Sequence, residues 1–194
     1  MKPTIVLDIR TLYGAATLAG ATSGQAFFSK LVDAVNGVQR DALVALDFAK
    51  VDIVTASFFR SAFRAFRDYA RSTAAIYPVL VNANVATKEE IHFFAEGSGD
   101  GFLLATLGKD GELTSAHILG RLDPKQSMAL RALVELGEAD AGELRTAYAE
   151  DPPISSAAWS NRLAVLLAKG FVTERLVGRT KRFRPILEGM TDGS

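Results

Sequence analysis

Apolar positions along the chain follow two alternating rhythms. Nearly continuous apolar runs at Ile5 to Ile9, Ala42 to Phe48 and Tyr77 to Ala83 predict strands, the last two buried on both faces. Pro78 is tolerated only because it stands at a strand beginning. Between these runs, Phe28, Leu31, Val32 and Val35 recur at helical spacing and predict a helix from Gln25 to about Asn36-Gly37. Tyr13 to Gly24 is small and Gly-rich and reads as a loop. Val51 to Thr55 reads as a short connector, after which Thr55 or Ser57 can cap a helix running to about Arg71. Thr87 to Glu90 has capping-box spacing and opens a helix through about Glu96. After a turn at Gly97 to Gly101, the strands Phe102 to Leu107 and Leu113 to Leu119 flank a hairpin turn at Lys109 to Glu112. Strands alternating with helices imply an α/β sheet domain over residues 1–120.

The rhythm changes after Gly120. Asp123-Pro124 starts a helix carrying Met128, Leu130, Leu133 and Val134 and ending at Gly137. Asp140 and Glu143 form a second capping box, for a helix through Leu144 and Tyr148. Pro152-Pro153 breaks the chain, Ser155 or Ser156 caps a third helix, and Gly170 closes it. Phe171 to Val177 and Lys181 to Leu187 then flank the turn Gly178-Arg179-Thr180. Three helices and a hairpin predict a winged helix-turn-helix domain over residues 121–194. In the third helix Trp159, Leu163, Leu166 and Leu167 share the core face, while Ser156, Ala157, Ser160 and Asn161 face away near its N-terminal end. Recognition helices read bases with such residues, Asn pairing with adenine, and Arg162 at the flank suits a phosphate. A polar surface that binds protein is the competing reading.

Charge sharpens this picture. The 194 residues hold 22 Lys+Arg and 22 Asp+Glu, so any nucleic-acid binding must come from a local patch. The hairpin supplies one: Arg175, Arg179, Lys181, Arg182 and Arg184 against Glu174, five cations less one acid, or +4. Alternation sends Lys181 and Phe183 to one face and Arg182 and Arg184 to the other, with Arg179 at the tip to meet a minor groove or its phosphates. Neutralising about four phosphates gives a slope of log K against log salt near about −3.6. A basic edge that merely resists aggregation is the alternative. Upstream, Arg60, Arg64, Arg67 and Arg71 form a cationic stripe, read as lying opposite Phe59, Phe63 and Phe66. It is either the solvated side of an amphipathic helix or a surface for an acidic partner.

Catalytic chemistry finds little support. The absence of cysteine removes disulfides, thiolate zinc sites and cysteine nucleophiles. His92 and His117 are the only histidines and lack ligand-spaced partners, so neither metal nor cofactor is expected. Gly97 to Gly101 precedes a strand, without a Gly-Lys-Ser/Thr sequence. Asp8 and Asp47 end strands and could meet, but no nucleophile or base accompanies them. The first residues lack a leader pattern and no run reaches about 18 apolar residues, so a cytoplasmic location without membrane insertion is expected.

Two stretches resemble known families. Asn161-Arg162-Leu163, Leu166-Leu167, Lys169 to Val172 and Arg179 to Arg184 resemble bacterial winged-helix regulators, including repressors of multiple-drug or metal-response operators, over about residues 122–187. Leu46-Asp47-Phe48, Val51, Thr55 to Phe59 and Phe63 to Phe66 resemble the STAS-like domain family of uncharacterised function, whose relatives include anti-sigma-factor antagonists. Those antagonists present a phosphorylatable serine, usually followed by glycine; Ser57 occupies that place here, followed by Phe58. As a cap, Ser57 is worth about 1 kcal/mol; as a phosphoacceptor, it would set about two negative charges at a helix's positive end. The expectation is a homodimeric regulator that binds duplex DNA, its STAS-like domain serving dimerisation, partner binding or signal input. The alternative is an adaptor in sigma-factor or kinase control that binds no DNA, with an enzyme a distant third.

Overall fold

The computed structural model describes residues 1–148 and 153–191. Of the break expected at Pro152-Pro153, Pro152 lies outside the described residues. Strand β1 (Ile5–Asp8) leads through α1 (Ile9–Tyr13) and β2 (Thr17–Leu18) into α2 (Ala21–Ala34). Next come β3 (Leu43–Asp47) and β4 (Ile53–Val54), then one helical stretch made of α3 (Ala56–Phe59), a π-turn (Arg60–Arg64), α4 (Ala65–Tyr69) and a second π-turn (Ala70–Ala74). The sheet region closes with β5 (Tyr77–Val81), α5 (Val85–Ser98), β6 (Gly101–Leu107) and β7 (Leu113–Gly120). The main sheet runs β1-β3-β5-β6-β7, parallel except for the β6–β7 hairpin, while β2 and β4 form a separate parallel pair.

Local chemistry explains where the sequence reading needs correction. Tyr13 to Gly24 is structured: the Asp8 carboxylate caps α1, Gly14 ends it at φ 97°, and α2 starts at Ala21. Small residues there permit close packing instead of signalling a loop. A Cβ on Gly24 would lie 2.8 Å from the Phe58 carbonyl oxygen, so glycine is what lets α2 close onto α3. Thr55, not Ser57, caps α3, accepting from the Phe58 N–H. Asn84, not Thr87, caps α5, because its side chain accepts from Thr87 N at 2.8 Å while its amide group donates to the Val51 and Asp52 carbonyls. Thr87 is wholly buried within that helix, and Glu90 accepts from Ala56 N at 3.3 Å.

Beyond the sheet lie α6 (Pro124–Leu136), α7 (Ala141–Ala147), α8 (Ser156–Lys169), β8 (Val172–Val177) and β9 (Thr180–Pro185). Asp123 caps α6, Asp140 and Glu143 complete a capping box on α7, Ser155 caps α8, and Gly170 ends α8 at φ 81°. Gly178, at φ 63°, opens the two-residue turn between β8 and β9. Ala139 adds a one-residue third strand by exchanging backbone hydrogen bonds with Phe183 at 2.9 and 3.0 Å.

Alternation along the strands divides the core into two layers. Val44 and Leu46 of β3 join Phe27, Phe58, Phe59, Phe63 and Phe66 on one side of the sheet. Leu43 and Ala45 face the other side, with Val79, Leu103 and Ile118, and that cluster continues into Leu130, Leu133, Trp159, Leu163, Leu166 and Phe183. The second layer crosses residue 120 without a break. The protein is therefore a mixed α/β structure in which the C-terminal helices and hairpin cover one sheet face. Gly24→Ala is expected to cost about 1–3 kcal/mol through overpacking against backbone, measured as a lowered urea midpoint with an unchanged slope.

Candidate nucleic-acid interface

Burial of Trp159, Leu163 and Leu166 fixes the rotation of α8 and turns Ser160, Asn161 and Ala164 outward. The start of α7 and the hairpin tip rise beside this face, leaving a groove of about 520 Å³. Ser160, Asn161, Arg179 and Lys181 meet in it, together with the acids Asp140 and Glu174. Four of the residues expected from sequence are thus brought together. Ser156 is half-buried and does not line the groove. Arg162 is half-buried as well, its guanidinium 5.0 Å from the Trp159 ring centroid and donating to Met128 Sδ at 3.3 Å. Stacking on the core tryptophan is the role the sequence reading missed for Arg162.

The remaining hairpin cations occupy its other face. Register pairs Arg175 directly with Arg182, and Thr173 with Arg184. Glu138 binds Arg175 at 2.8 Å and Arg182 at 2.6 Å, and Glu143 binds Arg182 at 2.9 Å. Hydrogen bonds from Arg175 and then Arg182 hold the Glu138 carboxyl below its ordinary range. For Glu143 the backbone bond from Asp140 and then Arg182 act in the same direction. Lys181 pairs with Glu174 at 3.1 Å. Counting Glu138 and Glu143 against the hairpin's +4 leaves +2. Among the described residues Arg179 has no ion pair, and Arg184 has only the Thr173 hydroxyl at 3.3 Å.

The upstream arginine stripe is not an exposed surface. Arg67 is 8% exposed and Asp100 6%, and they pair bidentately at 3.0 and 2.9 Å. Arg67 also donates to the Gly101 carbonyl and lies 4.6 Å from the Phe102 ring centroid. Arg71 lies over Tyr77 at 3.7 Å and donates to the carbonyls of Ile76 and of Leu167, near the end of α8. Lys169 of α8 reaches Asp100 at 3.5 Å and the Gly99 carbonyl at 3.4 Å. Arg64, partly exposed, sits 3.8 Å from both Asp68 and Asp100, and Arg60 is the exposed member of the stripe. The physical reason is angular. The arginines are offset from the phenylalanines by one residue, which is about 100° on a helix rather than 180°, so the stripe borders the buried face.

Burial opposes charge on Asp100, yet the Arg67 hydrogen bonds outweigh it and keep the carboxyl below its ordinary value of 3.8. Burial likewise opposes charge on Arg67, and Asp100 reverses it. Ser57 is half-buried in the first turn of α3, its oxygen 3.3 Å from Thr55 Oγ1. At the sheet's far end Asp8 and Asp47 are register neighbours, but Lys50 holds Asp8 at 2.8 Å and Asn82 holds Asp47 at 3.0 Å. The Lys50 hydrogen bond chiefly brings the Asp8 pKa down to about 2. Among the described residues no cluster of three or more His, Asp or Glu side chains could hold a metal, and no helix is long and apolar enough to cross a membrane. No family model and no curated protein matches the chain.

Asp100→Ala leaves the buried Arg67 charge with Asp68 alone, a half-exposed carboxylate at 2.8 Å, and is expected to cost about 2–3 kcal/mol, less than a fully stranded buried charge. The pH dependence has a defined sign. Asp100 titrates lower in the folded state than in the unfolded chain, so its stabilisation is complete at neutral pH and is lost as pH falls through the acid range below about 4. Asp100→Asn should remove part of that acid loss, seen as a flatter dependence of the urea midpoint between neutral and acid pH.

Proposed function

We propose that this protein is a cytoplasmic DNA-binding transcriptional regulator in which a winged helix-turn-helix unit rests on a STAS-like sheet. One observation carries the reading: α8 and the hairpin tip set Ser160 and Asn161 beside Arg179 and Lys181 along one groove. That combination offers base-edge hydrogen bonding from a helix and phosphate contact from a wing. The order of three helices and a hairpin, with Ala139 bridging Phe183 as a short third strand, supports the same reading. So small a cationic patch binds weakly alone, which favours a homodimer with two half-sites. The sheet provides the support and the surface for dimerisation or a partner.

Asp140 and Glu174 in the groove favour a second reading, an adaptor that docks a protein there. Fluorescence anisotropy with labelled promoter-region and random duplexes separates the two. With Arg179 and Lys181 meeting about two phosphates per protomer, log K is expected to fall with a slope near about −1.8 against log salt for each protomer bound. Arg179→Glu should abolish binding, while Asn161→Ala should relax preference at one base pair by about 1–3 kcal/mol. Absence of duplex binding at low salt, with intact folding, would favour the adaptor.

A further inference from the structure

A second polar site lies on the opposite side of the hairpin from the groove. Cross-strand register places Arg175 beside Arg182 on that outer face, and Arg184 follows two residues after Arg182 on the same side of β9. Like charges directly opposite each other in a sheet repel, and an anion between them relieves that repulsion. Glu138 supplies that anion, one carboxylate shared by two guanidiniums, with Glu143 on the far side of Arg182. Arg184 is left with a single neutral acceptor. The three arginines, with Glu138 and Glu174 between and beside them, form one wall of a crevice of about 390 Å³, whose other wall is Met1, Asp41 and Leu43 from the start of the sheet. The Met1 amine is already engaged by Glu112 at 2.6 Å.

We propose that this crevice binds a small phosphorylated molecule, with Arg184 and Arg175 as its donors and Asp41 limiting the charge it accepts. Planar guanidiniums present paired N–H groups that match phosphoryl oxygens, and a phosphate seated here satisfies the Arg184 donors that the fold leaves open. Asp41 makes no ion pair among the described residues and stands on the rim, where its carboxylate opposes an incoming anion. Its backbone is at φ 62°, a conformation that asparagine also tolerates, so Asp41→Asn removes the charge without adding strain. Because one wall belongs to the hairpin and the other to the sheet, an occupant bridges the two. The site does not depend on DNA binding.

The test is thermal unfolding of the full chain with sodium pyrophosphate, against sodium chloride and sulfate at matched ionic strength. Pyrophosphate at about ten times its dissociation constant is expected to raise the midpoint by about 3–6 °C beyond both controls. Arg184→Gln should lose that increment, Asp41→Asn should bind pyrophosphate severalfold more tightly, and Arg179→Gln, at the tip, should behave as the parent. An increment equal in Arg184→Gln and the parent would overturn the proposal, since general salting effects act on both alike. A loss of duplex affinity in Arg184→Gln, with no pyrophosphate increment in the parent, would also overturn it and assign these arginines to the DNA backbone.

Discussion

Arg67 carries a full charge out of water at the meeting point of the α3–α4 stretch, the α5–β6 turn and the end of α8. Asp100 compensates that charge with two hydrogen bonds, Asp68 accepts two more, and the Gly101 carbonyl accepts a fifth. A buried pair of this kind adds little net stability over an apolar substitute, but it tolerates very few geometries, because either partner left alone is costly. Asp100 also draws in Lys169, and Arg71 one turn away caps the carbonyl of Leu167. The C-terminal end of α8 is thereby fixed to the sheet region by directional bonds, while Trp159, Leu163 and Leu166 fix its rotation from beneath.

This joint bears on how the protein can be controlled. A sensor tethered to a reading head by a flexible linker could change the head's position at low cost. Here the core layer below α8 includes Ala45, Val79 and Leu103 of the sheet, so swinging the C-terminal unit away would expose a buried layer and break the Lys169–Asp100 and Arg71–Leu167 contacts together. Under the proposed function, control at the groove is better matched to changes in what covers it, or to occupancy of the crevice proposed beside the hairpin, than to large domain rotation. Ser57 has no free position from which to drive such a rotation, being half-buried within α3 behind the Thr55 cap.

Strands with continuous apolar runs and helices with strong caps were legible in the sequence because both signals are local. The Asp140–Glu143 box and the Asp123-Pro124 start lie where their side chains can only act on neighbouring backbone. Asn161, Ser160 and Arg179 were legible as a group because a helix face and a hairpin tip follow from spacing alone. What escaped was long-range compensation. Nothing near Arg67 announces a carboxylate 33 positions later, and nothing near Arg175 or Arg182 announces Glu138, although its place just before the Asp140 cap is a usable signal. The two π-turns in the Ala56–Ala74 stretch were likewise invisible, since helical periodicity assumes an even pitch. Net charge in a patch was therefore an overestimate of free charge.

The two halves of the chain share one core layer, and that shared layer holds the groove in place. Trp159, the single tryptophan, reports the packing of α8, whereas far-UV circular dichroism reports the whole fold. Equilibrium urea unfolding followed by both signals tests this directly. Coincident transitions with one midpoint and one slope are the expected result. A tryptophan transition at clearly lower urea, with the sheet signal intact, would show that the C-terminal unit is a separate domain and contradict the account.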